Sequence, residues 1–132
     1  MSERLQITDV LAADLPDWRM IHQVLFVVYR TGSFAAGLKL VERIAEAAES
    51  ANHHPDLTLT YPQVVVTLWS HDVGGVTDRD VALARTISTL AATAGHAADT
   101  SHTVVDDSNA PAFWVLADAD GNRFCVCTNL QR

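Results

Sequence analysis

The 132-residue chain reads as an α+β fold: a largely antiparallel sheet, two long helices packed on one of its faces, and an added C-terminal β-hairpin. Three observations predict this. Apolar residues recur at helical spacing in two stretches, from Phe34 towards Pro55 and from Thr77 to Gly95. Between and around them lie short segments rich in β-branched and aromatic residues, bounded by Gly, Pro and Asp. The order is strands, helix, hairpin, helix, hairpin, which favours antiparallel pairing with the helices segregated to one side.

Residues 9–16, "DVLAADLP", form a short helix stopping before Pro16. One or two strands follow within 18–31, where "HQVLFVVYRT" concentrates Val, Phe and Tyr. "TGSF" is a turn and a helix start, with Thr31 or Ser33 as N-cap. Phe34, Leu38, Val41, Ala45 and Ala48 then step by four and three, and Leu40, Ile44 and Ala47 widen the stripe. Pro55 ends that helix, because the residue before a proline is steered out of the helical region.

Leu57, Leu59 and Tyr61 alternate with Thr58 and Thr60 as a half-buried strand. After a turn at Pro62-Gln63, "VVVTLWSH" is a second strand with Val65, Thr67, Trp69 and His71 on one face. "DVGG" is a loop. Thr77-x-x-Asp80 is a capping-box variant that opens a second long helix, with Val81, Leu83, Ala84, Ile87, Leu90, Ala91 and Ala94 as its apolar set, ending at Gly95. Residues 96–110 read as a polar linker. "FWVLADADGNRFCVCT" is two strands around an Asp-Gly turn. The division expected is 1–96 for the main domain and 97–132 for the linker and hairpin, packed on the same domain.

Composition narrows the function. Hydrophobic residues make up 48% and charged residues 19%, a globular balance. A formal charge of −7 and the lack of a basic run argue against a nucleic-acid partner. The N-terminus lacks the basic start and apolar run of a signal peptide, and no stretch approaches the ~20 apolar residues of a membrane span. Cys125 and Cys127 are too close for a disulfide framework. A cytoplasmic location is expected.

The chemistry concentrates in three histidines near element ends. His53 and His54 follow the first long helix, and His71 ends a strand before Gly74-Gly75. Imidazole exchanges protons near neutrality, so convergence of these rings suits general acid–base catalysis. On local sequence alone, a solvated helix cap explains the His53-His54 pair equally well. A zinc site is disfavoured, since adjacent histidines rarely aim at one ion and no H-x-H, H-x3-H or C-x2-C spacing is present. Glu49 precedes His53 by four residues and reads as its partner across one helical turn, or as a solvated residue.

The run Glu49-x3-His53-His54-Pro55-x5-Tyr61-x9-His71-x8-Asp80 resembles the signature of the pterin-4a-carbinolamine dehydratases. The similarity extends over residues 10–95, through "SFAAGLKLVERIAEAAE" and "SHDVGGVTDRDVALARTI". The resemblance implies dehydration of 4a-hydroxytetrahydropterin, the product of aromatic amino acid hydroxylases, to quinonoid dihydropterin, with no metal or other cofactor. It implies His53 and His71 as the acid–base pair, His54 as a lining residue of the pterin site, and Glu49 as a residue orienting His53. Ser70 stands where the family often has threonine. Asp80 matches by position, although its capping role accounts for it. Tyr61, Trp69 and Trp18 are candidates for stacking on the pterin or for filling the core. A homodimer or homotetramer is usual in the family. A non-catalytic scaffold that binds or regulates a protein partner is the alternative.

Residues 111–129 lie outside that resemblance. They look like the closing hairpin of glyoxalase-like domains of the vicinal-oxygen-chelate superfamily. Cys125 stands where such metal enzymes usually carry a glutamate, so the hairpin reads as an addition that extends the sheet, covers a face or joins subunits.

Overall fold

The computed structural model describes residues 5–21 and 23–100, together with the backbone of three further strands. The elements are α1 (Ile7–Ala12), β1 (Arg19–Ile21), β2 (Val24–Arg30), α2 (Phe34–Ala51), β3 (Asp56–Thr60), β4 (Gln63–Leu68), α3 (Asp78–Thr93), β5 (Ala97–Ala98), β6 (Thr103–Asp106), β7 (Phe113–Ala117) and β8 (Arg123–Cys127). The expected α+β class is what is found. The main sheet has the order β1-β2-β4-β3, with β5 also on β2, and every pairing is antiparallel. No helix among the described residues is long and apolar enough to cross a membrane.

Alternation along β2 and β4 separates two apolar faces. Leu25, Val27 and Tyr29 pair across the strands with Leu68, Val66 and Val64, and this face meets Leu40, Ile44, Leu83, Ala84, Ile87 and Ala91 of the two long helices. Trp18 belongs to the same core, its indole N–H donating to Ser88 Oγ at 2.9 Å. Tyr29 is fully buried there; burial pushes its phenol well above the ordinary range.

α2 begins at Ser33, whose hydroxyl accepts from the Ala36 amide at 3.1 Å. Its buried positions are Gly37, Leu40, Ile44 and Ala48. The stripe expected from Phe34 and Leu38 is rotated: these two are 52% and 45% exposed. The apolar arc of α2 is wide enough that periodicity alone does not choose its centre. Contact with the sheet does, at Gly37, where an added Cβ would stand 2.6 Å from Leu59 Cδ1.

The short first helix starts earlier than its sequence suggests, at Ile7, because the Asp9 carboxylate accepts from the Gln6 amide at 2.9 Å and so caps it from within. The stretch read as a polar linker contains β5 and β6. β5 joins the main sheet beside Tyr29 and Arg30, and Arg30 and Asp99 pair at its end. Such two- to four-residue strands carry too little alternation to be read from sequence. The expected hairpin is present as β7 and β8, with Phe113 opposite Cys127 and Ala117 opposite Arg123. β6 adds a third strand on the other side of β7.

Candidate active site

α2 stops at Ala51, four residues before Pro55. Asn52 adopts the left-handed conformation, φ 50° and ψ 41°, its amide donating to Glu49 O and that of His53 to Ala48 O. Paired bonds of this kind are a Schellman closure, and Asn tolerates the left-handed turn better than most residues. The closure reverses the chain, so His53 leaves the helical face it would share with Glu49. Pro55 then lies between the turn and β3.

The partner of His53 is Asp80. Its Nε2 stands 2.6 Å from Asp80 Oδ1, with the imidazole 12% and the carboxylate 0% exposed. The other oxygen, Oδ2, accepts from Ser70 Oγ at 2.8 Å and from the Thr77 amide at 2.9 Å. Ser70 and Thr77 hydroxyls also lie 2.8 Å apart. A buried carboxylate is costly unless hydrogen bonds surround it, and here three groups from three segments do so. Asp80 is therefore both the cap of α3 expected from Thr77-x-x-Asp80 and the group that fixes the His53 ring.

Glu49 stands instead near His54, 3.4 Å from its Nε2, with the two side chains 78% and 55% exposed. That exposed contact is the weak kind. The expectation that Glu49 orients His53 is thus replaced in the geometry by Asp80, because the helix ends before the i, i+4 relation is completed.

His71 opens a tight turn. The Ser70 carbonyl collects the amides of Val73 and Gly74, and Ser70 bridges to Gly75. The His71 ring lies flat on the indole of Trp69, centroids 3.9 Å apart and planes 17° from parallel. Trp69 itself is 4% exposed. Beyond His71, Asp72 pairs with Arg79 of α3 at 2.7 Å, and the Arg79 hydrogen bond holds the Asp72 carboxyl below the usual carboxylate range.

These segments enclose an open cleft of about 300 Å³ lined by Asn52, His53, His54, Trp69, His71, Asp72 and Arg79. All three histidines singled out by the sequence line it. A second hollow of about 460 Å³, between α2 and α3, shares His53 and Arg79. Ser70 and Asp80 stand behind the cleft as supports. Tyr61 does not line it: it is 69% exposed in the β3–β4 turn, a whole strand away from His54. Arg79, Asp72 and Asn52 are lining residues that sequence reading passes over. Arg79 is signalled only by its place beside Asp80 on the first turn of α3, and Asn52 by being an Asn one residue before the histidines.

Comparison with known proteins gives a consistent result. A family model described as "Pterin 4 alpha carbinolamine dehydratase" matches residues 2–90. A protein of Thermosynechococcus vestitus, provisionally named a pterin-4-alpha-carbinolamine dehydratase, is 41% identical over 93 residues, 69% of this chain and 98% of its own. A provisionally named counterpart from Nocardia farcinica is 46% identical over 78 residues, covering 59% of this chain and 82% of that protein. Among solved structures, a Brucella melitensis protein described as a transcriptional coactivator/pterin dehydratase superposes with a TM-score of 0.64 at 27% identity, over 67% of this chain and 99% of that one.

Proposed function

The chain belongs to the pterin-4a-carbinolamine dehydratase family, and from that premise we propose that it dehydrates a 4a-hydroxytetrahydropterin to the quinonoid dihydropterin by histidine acid–base catalysis. The observation that carries this reading is the 2.6 Å contact between His53 and the buried Asp80, in a cleft that also holds His54 and His71.

With Nε2 committed to Asp80, proton exchange at His53 falls to Nδ1. A carboxylate against an imidazole stabilises the imidazolium that forms when the ring takes a proton, so His53 is the base for the proton on N5. His71, in its protonated form, gives a proton to the hydroxyl on C4a. The C4a–O bond breaks, water leaves, and the electron pair released from N5–H becomes the C4a=N5 double bond. Both histidines then return to their starting states by proton exchange with solvent. His54 lines the pterin site, and Trp69 supplies the flat surface on which His71 is oriented. The reaction moves two protons and no electrons to or from an acceptor.

The test is the decay of freshly generated 4a-hydroxytetrahydropterin, followed by absorbance. The wild-type chain accelerates it, whereas His53→Ala and His71→Ala chains fall by two orders of magnitude or more, the usual worth of a positioned acid or base. Equal rates for wild type and both variants would sink the proposal.

One observation favours a second reading. The Brucella protein's description joins dehydratase to transcriptional coactivator, so a scaffold that engages a protein partner is the alternative for this chain. A wild-type rate no higher than the spontaneous one, with a stoichiometric partner retained on purification, would favour it.

A further inference from the structure

The second hollow, between α2 and α3, has no role in the chemistry set out above, yet it adjoins the cleft. Its volume of about 460 Å³ exceeds the 300 Å³ of the cleft, and the two share His53 and Arg79. His71 lines the cleft and not the hollow. Passing from His71 to His53 therefore leads from the cleft to the border of the hollow.

The covalent order of the pterin fixes what lies at that border. In the proposed mechanism His71 serves the hydroxyl on C4a and His53 the proton on N5. N5 is bonded to C4a on one side and to C6 on the other. With C4a towards His71, C6 and whatever it carries point away from His71, past His53 and towards the hollow.

The lining of the hollow selects the kind of substituent. α2 contributes Ala47, Ser50 and Ala51, and α3 contributes Ala82, Leu83 and Thr86. Four of these are apolar, and three are alanines whose small side chains leave a slot between the helices. The Thr86 hydroxyl is already spent as a donor on the Ala82 carbonyl, at 3.2 Å. No carboxylate among the described residues lines the hollow. A polyhydroxylated chain finds few partners there, whereas a flat aromatic ring finds methyl groups and the guanidinium plane of Arg79 at the mouth. Length agrees. From Arg79 to Thr86 the hollow follows α3 for about 10 Å, at 1.5 Å per residue. A three-carbon side chain reaches only the near part of that distance, but an aryl group on a short arm runs along it.

We propose that the hollow between α2 and α3 is the subsite for the substituent on pterin C6, and that it favours an arylaminomethyl group, as in reduced folates, over a short polyol. The orientation of the ring rests on the dehydratase reading; the choice of substituent rests on the lining of the hollow.

The test is calorimetric binding of three stable 7,8-dihydropterins to the full chain, with 6-methyl, 6-dihydroxypropyl and 6-arylaminomethyl groups. The aryl ligand binds at least about ten-fold tighter than the other two, the least that an extra apolar group in a pocket is worth. Ala82 is an exposed helical position where leucine is well tolerated, so Ala82→Leu fills the slot without unfolding the chain and abolishes that preference. Thr89→Leu, exposed on α3 outside the hollow, retains it. Equal affinities in the wild type, tighter binding of the polyol, a preference that survives Ala82→Leu, or no binding of any ligand overturns the proposal. The decay assay with the 6-methyl substrate judges the dehydratase reading separately, because that substituent is too short to use the hollow.

Discussion

His53 and His71 line the same cleft but are held by different means. His53 is fixed from behind by a buried carboxylate whose second oxygen is tied to Ser70 and the Thr77 amide. His71 lies on the indole of Trp69, and the next residue is tethered by an ion pair with both partners substantially exposed. A hydrogen-bonded carboxylate out of water specifies a ring's tautomer and angle, whereas stacking specifies only its plane. The difference suggests one pre-set ring and one that keeps freedom to turn in its plane. In the proposed mechanism, that suits a base that awaits a proton from a fixed direction and an acid that follows a departing hydroxyl.

The strongest way to break this contrast is to remove the buried anchor. Asp80→Ala strands three donors at once, so we expect a loss of about 3 kcal/mol or more in urea denaturation, given ~1–3 kcal/mol for each unsatisfied buried group. Asp80→Asn keeps much of the fold but reverses the donor at His53, and turnover should still fall about 100-fold. A variant that kept both stability and rate would show that the His53–Asp80 contact positions nothing.

Next in size is the stack. Trp69→Leu should cost roughly 2 kcal/mol through lost burial and stacking, with the drop in turnover carried by kcat rather than KM. Ser70→Ala removes one of the donors to Asp80 Oδ2. About 1 kcal/mol of stability should go with it, with Ser70→Thr restoring the bond. At the exposed end, Asp72→Asn should slow turnover only a few-fold at low ionic strength, and the difference should vanish in about 1 M salt, where the screening length is ~3 Å. Glu49→Gln should be smallest, within about two-fold of the wild-type rate, since its contact with His54 is open to solvent. A larger effect at Glu49 than at Asp80 would restore the i, i+4 pairing as the one that matters.

Much of this was legible in the residues. Both long helices announce themselves by period, Ser33 and Thr77 by their capping chemistry, and the β3–β4 hairpin by Leu57-x-Leu59-x-Tyr61 and the Val run. The resemblance carried by the run from Glu49 to Asp80 pointed to one site for His53 and His71. What escaped was anything that depends on rotation or on a turn. The buried side of α2 could not be read, because Phe34–Leu38 and Leu40–Ile44 are equally periodic. The partner of His53 could not be read either, because the Asn52 turn, a single left-handed residue, breaks the helical relation to Glu49. The short strands β5 and β6 carry too few residues to show alternation.

The sequence by itself determined the fold class, the two helices with their capped starts, and the three histidines at element ends, since these follow from local spacing and side-chain chemistry. Only the tertiary structure decided which carboxylate serves which imidazole. Asp80 and His53 are far apart along the chain and meet because α2 and α3 pack side by side on one face of the sheet. Their common core there is Leu40, Ile44, Leu83 and Ile87. Hydrophobic burial sets that packing, and it acts on whole faces rather than on the residues that use the result.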